Sequence, residues 1–466
     1  MAMVTSASAP AVVTVPRSVR LGYGVGSFCT GTFGTVPGLL LLYYMTNVLA
    51  VPAWLAGLVV FLPKVWDLFI NPYVGQRSDR TTSRWGARRP WLLLGALTLP
   101  VTFALTFAGP PLTGGAAALY VGVMFFLTTT AFAFFEVPYK AMPVEMTDDY
   151  HERSSLLQWR MVFLGVAILL SGAVAPAITN AEAAGGTVGG YRTMGLAVGA
   201  LLLVAMLGTF FGTASAPVVR RTEAEGTIMA QFRVARTSKT FLVLLGFSCA
   251  QMLAAGLMLA GAPYLATYLL DAPEATTTLF VALVGPILLT MPLWVWLSKR
   301  LEKRGAMILA SALFLAGGVA LVLTPQLGAV YAHVCVAVVG VGYAGFQLLQ
   351  YSMLADVVVH DALVSGRSRA GVFTGLWTAC ETVVFAFGAL VLGWVLGAAG
   401  FVESDASERV AQPESAIMAV TYGGTLLPAA AMALSIVLVM RYRLTAGELA
   451  RAQAQADARA EQGAKG

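Results

Sequence analysis

The stretch Leu58-Val-Val-Phe-Leu-Pro-Lys64-Val-Trp-Asp67-Leu-Phe-Ile-Asn71-Pro72 sets a lysine and a carboxylate inside an apolar run. A charge surrounded by hydrocarbon is costly, so an ionisable residue at such a position faces an interior cavity and marks a substrate or ion pathway. The segment that follows, from Arg77 to Arg89, carries Arg77, Arg80, Arg84, Arg88 and Arg89 against Asp79 alone. Basic loops stay on the cytoplasmic side, which places this one there. A buried charge pair beside a basic inner loop points to a transporter.

Composition agrees. Of 466 residues, 58% are hydrophobic and 11% charged, with a mean hydropathy of +0.77, whereas a soluble domain carries roughly 25% charged residues. Spans need about 20 apolar residues each. Such segments fall near 22–49, 54–76, 90–108, 117–144, 161–180, 192–216, 240–269, 277–297, 307–325, 329–357, 371–398 and 416–440. The net charge of +6 does not imply a nucleic-acid partner, because Lys and Arg gather in alternate loops and in the tail from Arg441. By that bias both termini are cytoplasmic and the protein is a multi-pass component of the inner membrane. No cleavable signal peptide is expected, so the first span inserts the chain. Cys29, Cys249, Cys335 and Cys380 lie apart within apolar segments and read as small buried hydrophobes; no structural metal is expected.

The longest polar interior stretch, from Pro217 to Lys239, divides the chain into a 1–20 tail, a 21–216 bundle, a 217–239 linker, a 240–440 bundle and a 441–466 tail. Lys299-Arg-Leu-Glu-Lys-Arg-Gly305 in the second half occupies the place of the Arg77 to Arg89 loop in the first. Duplicated halves are the trace of rocking transporters whose site lies between them near the midplane. The Ala-rich tail after Glu448 is expected to be frayed.

Lys64, Asp67 and Asn71 are three and four residues apart and share a helix face. At 1.5 Å per residue from Trp54, Asp67 lies roughly 20 Å into the membrane. Glu136 and Lys140 repeat the theme one turn apart in span four, at similar depth. Two acid–base pairs can therefore meet across spans two and four, either as salt bridges that fix packing or as a cation or proton site built on Asp67 and Glu136. Glu381, roughly 15 Å from the inner end of span eleven, faces them from the other half. Tyr43, Tyr44, Trp66, Tyr139, Tyr351 and Trp377 offer stacking surfaces, and of these Tyr139 and Trp377 are singled out by nearby charged positions. Arg160 begins span five; it either closes an inner gate with Asp79 or Glu145, or snorkels. Asp356, His360 and Asp361 at the inner end of span ten share that ambiguity.

As an ordered set, these residues resemble the glycoside-pentoside-hexuronide:cation symporters of the major facilitator superfamily, the family of melibiose permease. The specific parts are Gly22-Tyr-Gly-Val-Gly26, Lys64-Val-Trp-Asp67 through Asn71-Pro72, Asp79-Arg80 with Ser83-Arg84-Trp-Gly86 and Arg89-Pro90, Val137-Pro-Tyr139, Asp149-Tyr-His-Glu-Arg153 and Gly375-Leu-Trp377. The resemblance implies an all-α fold of about 12 transmembrane helices in two pseudo-symmetric six-helix bundles. It also implies Asp67 and Glu136 as cation-site acids and Arg160 as the arginine opening span five; the expected cytoplasmic gate is Asp79, Arg80, Arg84 and Arg160. Departures from the family pattern are Asn71 for a second span-two acid, Cys29 for the sugar-binding acid of span one, Ala133 for a threonine ligand, Thr382 for a lysine and Lys140 for a tryptophan.

The expected function is secondary transport of a glycoside-like solute by alternating access in a monomer within the lipid bilayer, coupled to H+ or Na+. Asp67, Asn71 and Glu136 form the cation site, and Lys64, Tyr139, Lys140, Trp377, Glu381 and Cys29 line the cavity. Asn71 in place of an acid weakens sodium coordination and favours a proton. Lys140 also admits an anionic or lysolipid-like solute, and a non-transporting sensor can use the same fold. An enzyme is not indicated: only three histidines are present, and no nucleophile stands near a base. Beyond a transported cation, no cofactor is expected.

Overall fold

The computed structural model describes residues 15–147, 149–181, 188–217, 238–365, 369–405 and 410–465. The first half is built from α1 (Arg17–Val25), α2 (Ser27–Asn47), α3 (Ala53–Asp79), α4 (Arg89–Phe107), α5 (Gly114–Met146), α6 (Tyr150–Thr179) and α7 (Val188–Gly212). The second half is built from α8 (Lys239–Tyr264), α9 (Ala275–Ala320), α10 (Thr324–Ser365), α11 (Ala370–Ala398) and α12 (Glu414–Val439), with a final helix α13 (Ala446–Lys465). Ten apolar helical stretches can cross a membrane, and one of them runs 91 residues from Ala275 to Ser365. Left-handed backbone at Glu302 (φ 57°) and Gly328 (φ 79°) breaks that run into three. Twelve spans result among the described residues, at the places the apolar runs predict. Most of the 217–239 linker, residues 218–237, lies outside the described residues, as do residues 1–14 of the N-terminal tail.

Inside hydrocarbon only helices and closed barrels satisfy every backbone donor and acceptor, and continuous apolar runs of about 20 residues suit the helix. The chain turns between α1 and α2 at Gly26, where a Cβ would stand 2.5 Å from the Tyr139 ring. Pro63 and Pro72 in α3, and Pro138 and Pro143 in α5, remain within unbroken helices. The tail is a correction: residues after Ala446 form a helix that packs against α10 rather than a frayed end. Ala, Gln, Arg and Glu are strong helix formers, and the Thr445 hydroxyl accepts the Glu448 amide at 3.2 Å to start the helix.

Hydrogen bonds tie the halves together at one end. Tyr264 meets Thr46 at 2.6 Å, Tyr43 meets Thr267 at 2.9 Å, and Tyr268 donates to Asn47. The Ala50 amide donates to the Ser404 carbonyl, the Ser404 amide donates to the Thr46 carbonyl, and the Ala53 amide donates to Glu403. At the other end, which carries the basic loops, the ion pairs Arg20–Glu152, Arg88–Asp79, Arg88–Glu145, Lys303–Asp356 and Arg369–Asp361 each stay within one half. Among the described residues, then, tyrosines tie the halves at one end, and at the basic end the ion pairs leave the halves apart, so the cleft between them is read as open there.

Candidate functional site

Three helices of the first half position the charges. The Trp66 indole donates to Thr130 Oγ1 at 3.1 Å, pinning α3 to α5 beside Asp67. Asp67 is 6% exposed. Its Oδ2 is 3.4 Å from Lys64 Nζ, and its Oδ1 is buried without a hydrogen-bond partner. Lys64 Nζ lies over the Phe33 ring at 4.4 Å, with the rings of Phe132 and Phe125 at 5.7 and 5.9 Å. On α5, Lys140 Nζ is 2.7 Å from Glu136 Oε1, and the lysine side chain is 42% exposed. The pairs are not isolated: Asp67 lies within electrostatic reach of both Glu136 and Lys140.

From the second half, Glu381 on α11 accepts the Tyr351 hydroxyl of α10 on both oxygens, at 2.9 and 3.0 Å. It too lies within electrostatic reach of Lys140, so the Lys140 ammonium is sensed by acids of both halves. The structure thus brings together Lys64, Asp67, Glu136, Lys140 and Glu381. Asn71 sits one helical turn from Asp67 toward the basic end, half-buried. A 600 Å³ groove between α3 and α5, lined by Leu55, Leu62, Leu119 and Phe126, has no ionisable lining and is not this site.

Several expectations need correction. Tyr139, Cys29 and Trp377 do not line the cleft. Tyr139 and Cys29 are fully buried and Trp377 nearly so, because each packs between helices of its own half. The Tyr139 hydroxyl donates to the Tyr23 carbonyl at 2.8 Å and meets Ser27 at 2.9 Å, which fixes α1 and α2 against α5. The Trp377 indole N–H is buried beside Glu381 without a partner at hydrogen-bonding geometry, and the ring lies 6.4 Å from that of Tyr351. Tyr351, which the sequence left apart from the charges, is the residue that holds Glu381.

The expected pairing of Arg160 with Asp79 or Glu145 is also replaced. Arg160 lies over the Tyr139 ring at 5.8 Å, with Nε buried and unpaired. Arg88 takes both acids, reaching Asp79 and Glu145 at 2.5 Å and Ser78 at 2.6 Å. Burial alone would push the Arg88 guanidinium down, but Glu145 and then Asp79 outweigh it and hold it above its ordinary value. Arg80 is exposed and Arg84 stacks on Trp85 at 5.0 Å, so neither joins this network. Arg88 had one signal in the sequence, its place just before the Arg89-Pro90 helix start.

Comparison with known proteins follows this geometry. The model of the MFS/sugar transport protein family matches residues 22–446. The inner membrane symporter YicJ of Escherichia coli (strain K12) is 26% identical over 441 residues, covering 91% of each chain. The isoprimeverose transporter of Lactiplantibacillus pentosus is 24% identical over 442 residues, covering 92% of this chain and 89% of that protein. In fold, the chain is similar to a bacterial homolog of the human lysosomal transporter Spinster in an inward-facing, unoccupied conformation, with a TM-score of 0.68 at 14% identity over 94% of this chain and 97% of that one. These are transporters rather than enzymes. The chain belongs to the MFS/sugar transport protein family and is a multi-pass membrane transporter of the major facilitator fold.

Proposed function

We propose that this protein carries a glycoside-like solute across the cytoplasmic membrane by alternating access, driven by a cation taken up at Asp67 and Glu136. The 21–216 and 240–440 halves are the moving units, and the distribution of Lys and Arg supports a basic end that faces the cytoplasm. The glycoside reading rests on the family's description and on the relatives' names, which include a putative glycoside/cation symporter of Escherichia coli (strain K12). One observation carries the coupling: a buried, incompletely paired carboxylate, Asp67, shares a cleft with Glu136, Lys140 and, from the other half, Glu381. A group that gains or loses a cation there changes the field felt by both halves. Each chain contains a whole cleft, so a monomer suffices.

Proteoliposomes test this. Wild-type protein is expected to exchange a labelled glycoside and to accumulate it under a cation gradient. Asp67→Asn is expected to keep exchange and lose accumulation. Concentrative uptake by Asp67→Asn at the wild-type level removes Asp67 from the coupling site.

A further inference from the structure

One oxygen of the buried Asp67 carboxylate is already taken, by an ammonium of the same chain. Lys64 Nζ stands 3.4 Å from Asp67 Oδ2, and Phe33 closes over it at 4.4 Å. Phe33 is stacked on Phe132 with ring centroids 4.2 Å apart, and Phe132 and Phe125 present their own faces to the same ammonium within 6 Å. Aromatic faces attract an ammonium but offer no oxygen. A sodium or lithium ion needs a shell of oxygens, as hard cations do. Among the described residues the oxygens offered beside Asp67 are its own two, the amide of Asn71 one turn away and the Glu136 carboxylate, which Lys140 already bonds at 2.7 Å; Ala133 offers none, its methyl packing with Ile70 and Val74. Charge acts in the same direction. A second monovalent cation about 4 Å from the Lys64 ammonium would be weakened on the order of a thousandfold at the effective dielectric of a protein interior.

We propose that Lys64 is a tethered counter-cation that fills the cation position of Asp67, so that the site excludes sodium and lithium and becomes an alkali-cation site only when Lys64 is removed. This deepens the proposed function and rests on its assignment of Asp67 to the cation site. Helix geometry favours such a tether, because residues three apart lie on one face and the lysine stem reaches the carboxylate without moving the backbone. The cup of rings then keeps the ammonium from leaving for the open end.

The test is equilibrium binding of ²²Na⁺ to the purified full chain in detergent, with choline holding ionic strength constant. Wild type and Lys64→Arg are expected to show no saturable binding. Lys64→Met, which keeps the packing against Phe33, is expected to gain binding that lithium displaces. Lys64→Met/Asn71→Asp is expected to bind more tightly, and Lys64→Met/Asp67→Asn to lose the gain. Saturable, lithium-displaceable binding by wild type overturns the proposal. So does the absence of binding in both Lys64→Met and Lys64→Met/Asn71→Asp when each is monodisperse and melts near the wild-type temperature. If those variants do not fold, the wild-type and Lys64→Arg measurements decide it. No solute is needed, so a failure of glycoside exchange in proteoliposomes sinks the transport assignment and leaves this result standing.

Discussion

Removing the hydroxyl of Tyr264 is expected to loosen the closed end of the cleft by a calculable amount. That hydroxyl meets Thr46 Oγ1 at 2.6 Å, and both residues are buried. Thr46 Oγ1 also lies 3.2 Å from the Leu42 carbonyl and 2.9 Å from Asn47 Nδ2, so Tyr264→Phe leaves no orphaned partner. The loss is then that of one ordinary hydrogen bond, about 1 kcal/mol. In the opposite state, with this end open, the tyrosine and threonine bond to water and lose nothing, so the full loss falls on the closed-end state. At RT of about 0.59 kcal/mol it shifts the ratio of the two states roughly fivefold. Glu403→Ala removes the acceptor of the Ala53 amide at the start of α3, where helix amides lack internal partners, and costs about 1 kcal/mol more. The double variant is expected to shift the ratio about thirtyfold if the two losses add. Spin labels at the exposed positions Thr113 and Ala411, in loops of the closed end, report the shift as growth of the longer-distance population in a pulsed dipolar measurement. The native cysteines are replaced by serine beforehand. An unchanged distance distribution in Tyr264→Phe/Glu403→Ala, or a shift to shorter distances, refutes the assignment of this end as the tie between the halves.

Other substitutions probe packing and the Arg88 network. Arg88→Ala leaves Asp79 and Glu145 facing one another without their shared cation and is expected to destabilise the protein by about 3–5 kcal/mol, seen as a fall in melting temperature in detergent. Arg88→Lys restores one charge without the fork that reaches three partners and recovers only part of that loss. Gly256→Ala places a Cβ 2.0 Å from the Phe385 carbonyl, forcing α8 from α11 at a cost of about 1–3 kcal/mol or more. Gly371→Ala, which meets nothing within 4 Å in the first turn of α11, is expected to leave the melting temperature unchanged or raise it.

The positions of the helices were legible because hydrocarbon thickness sets their length and loop charge sets their breaks. Even the 91-residue helical run resolves into three spans in the sequence, since Lys299 to Arg304 and the Gly328 region interrupt its apolar character. Pairings within a helix were legible for a similar reason. Lys64 with Asp67 and Glu136 with Lys140 follow from spacings of three and four residues. Contacts between helices were not. Phe33 over Lys64 joins residues 31 apart in sequence, and Tyr351 to Glu381 joins residues 30 apart. Each residue turns a helix face by about 100°, so a single chain does not say which face meets which neighbour. That is why Tyr139 and Trp377, beside charges in sequence, point into packed interfaces instead. It is also why Arg88, rather than Arg160, holds Asp79 and Glu145. The frayed tail failed on local grounds: its alanines carry helix propensity, and α10 supplies a surface.

The same cleft contains three acids, Asp67, Glu136 and Glu381, and three bases, Lys64, Lys140 and Arg160, on elements of both halves. Closing the open end would dehydrate those still exposed, Lys140 above all, and desolvating an unpaired charge costs several kcal/mol. Balanced pairs make closure affordable, and the pairing is incomplete in the state seen here, where Lys140 bonds Glu136 while Glu381 is held by a neutral tyrosine. Lys140 is the group that both halves sense, and it stands on the exposed side of α5. Two unit charges brought to about 4 Å at an effective dielectric of 20 interact by about 4 kcal/mol, enough to carry a two-state equilibrium most of the way from one side to the other. On the proposed function, a cation that neutralises Glu136 frees Lys140 to turn toward Glu381, and the attraction then favours closure of the end that was open. On that proposal coupling would run through a lysine on the fourth span, with Lys64 keeping its neighbouring carboxylate balanced in the meantime.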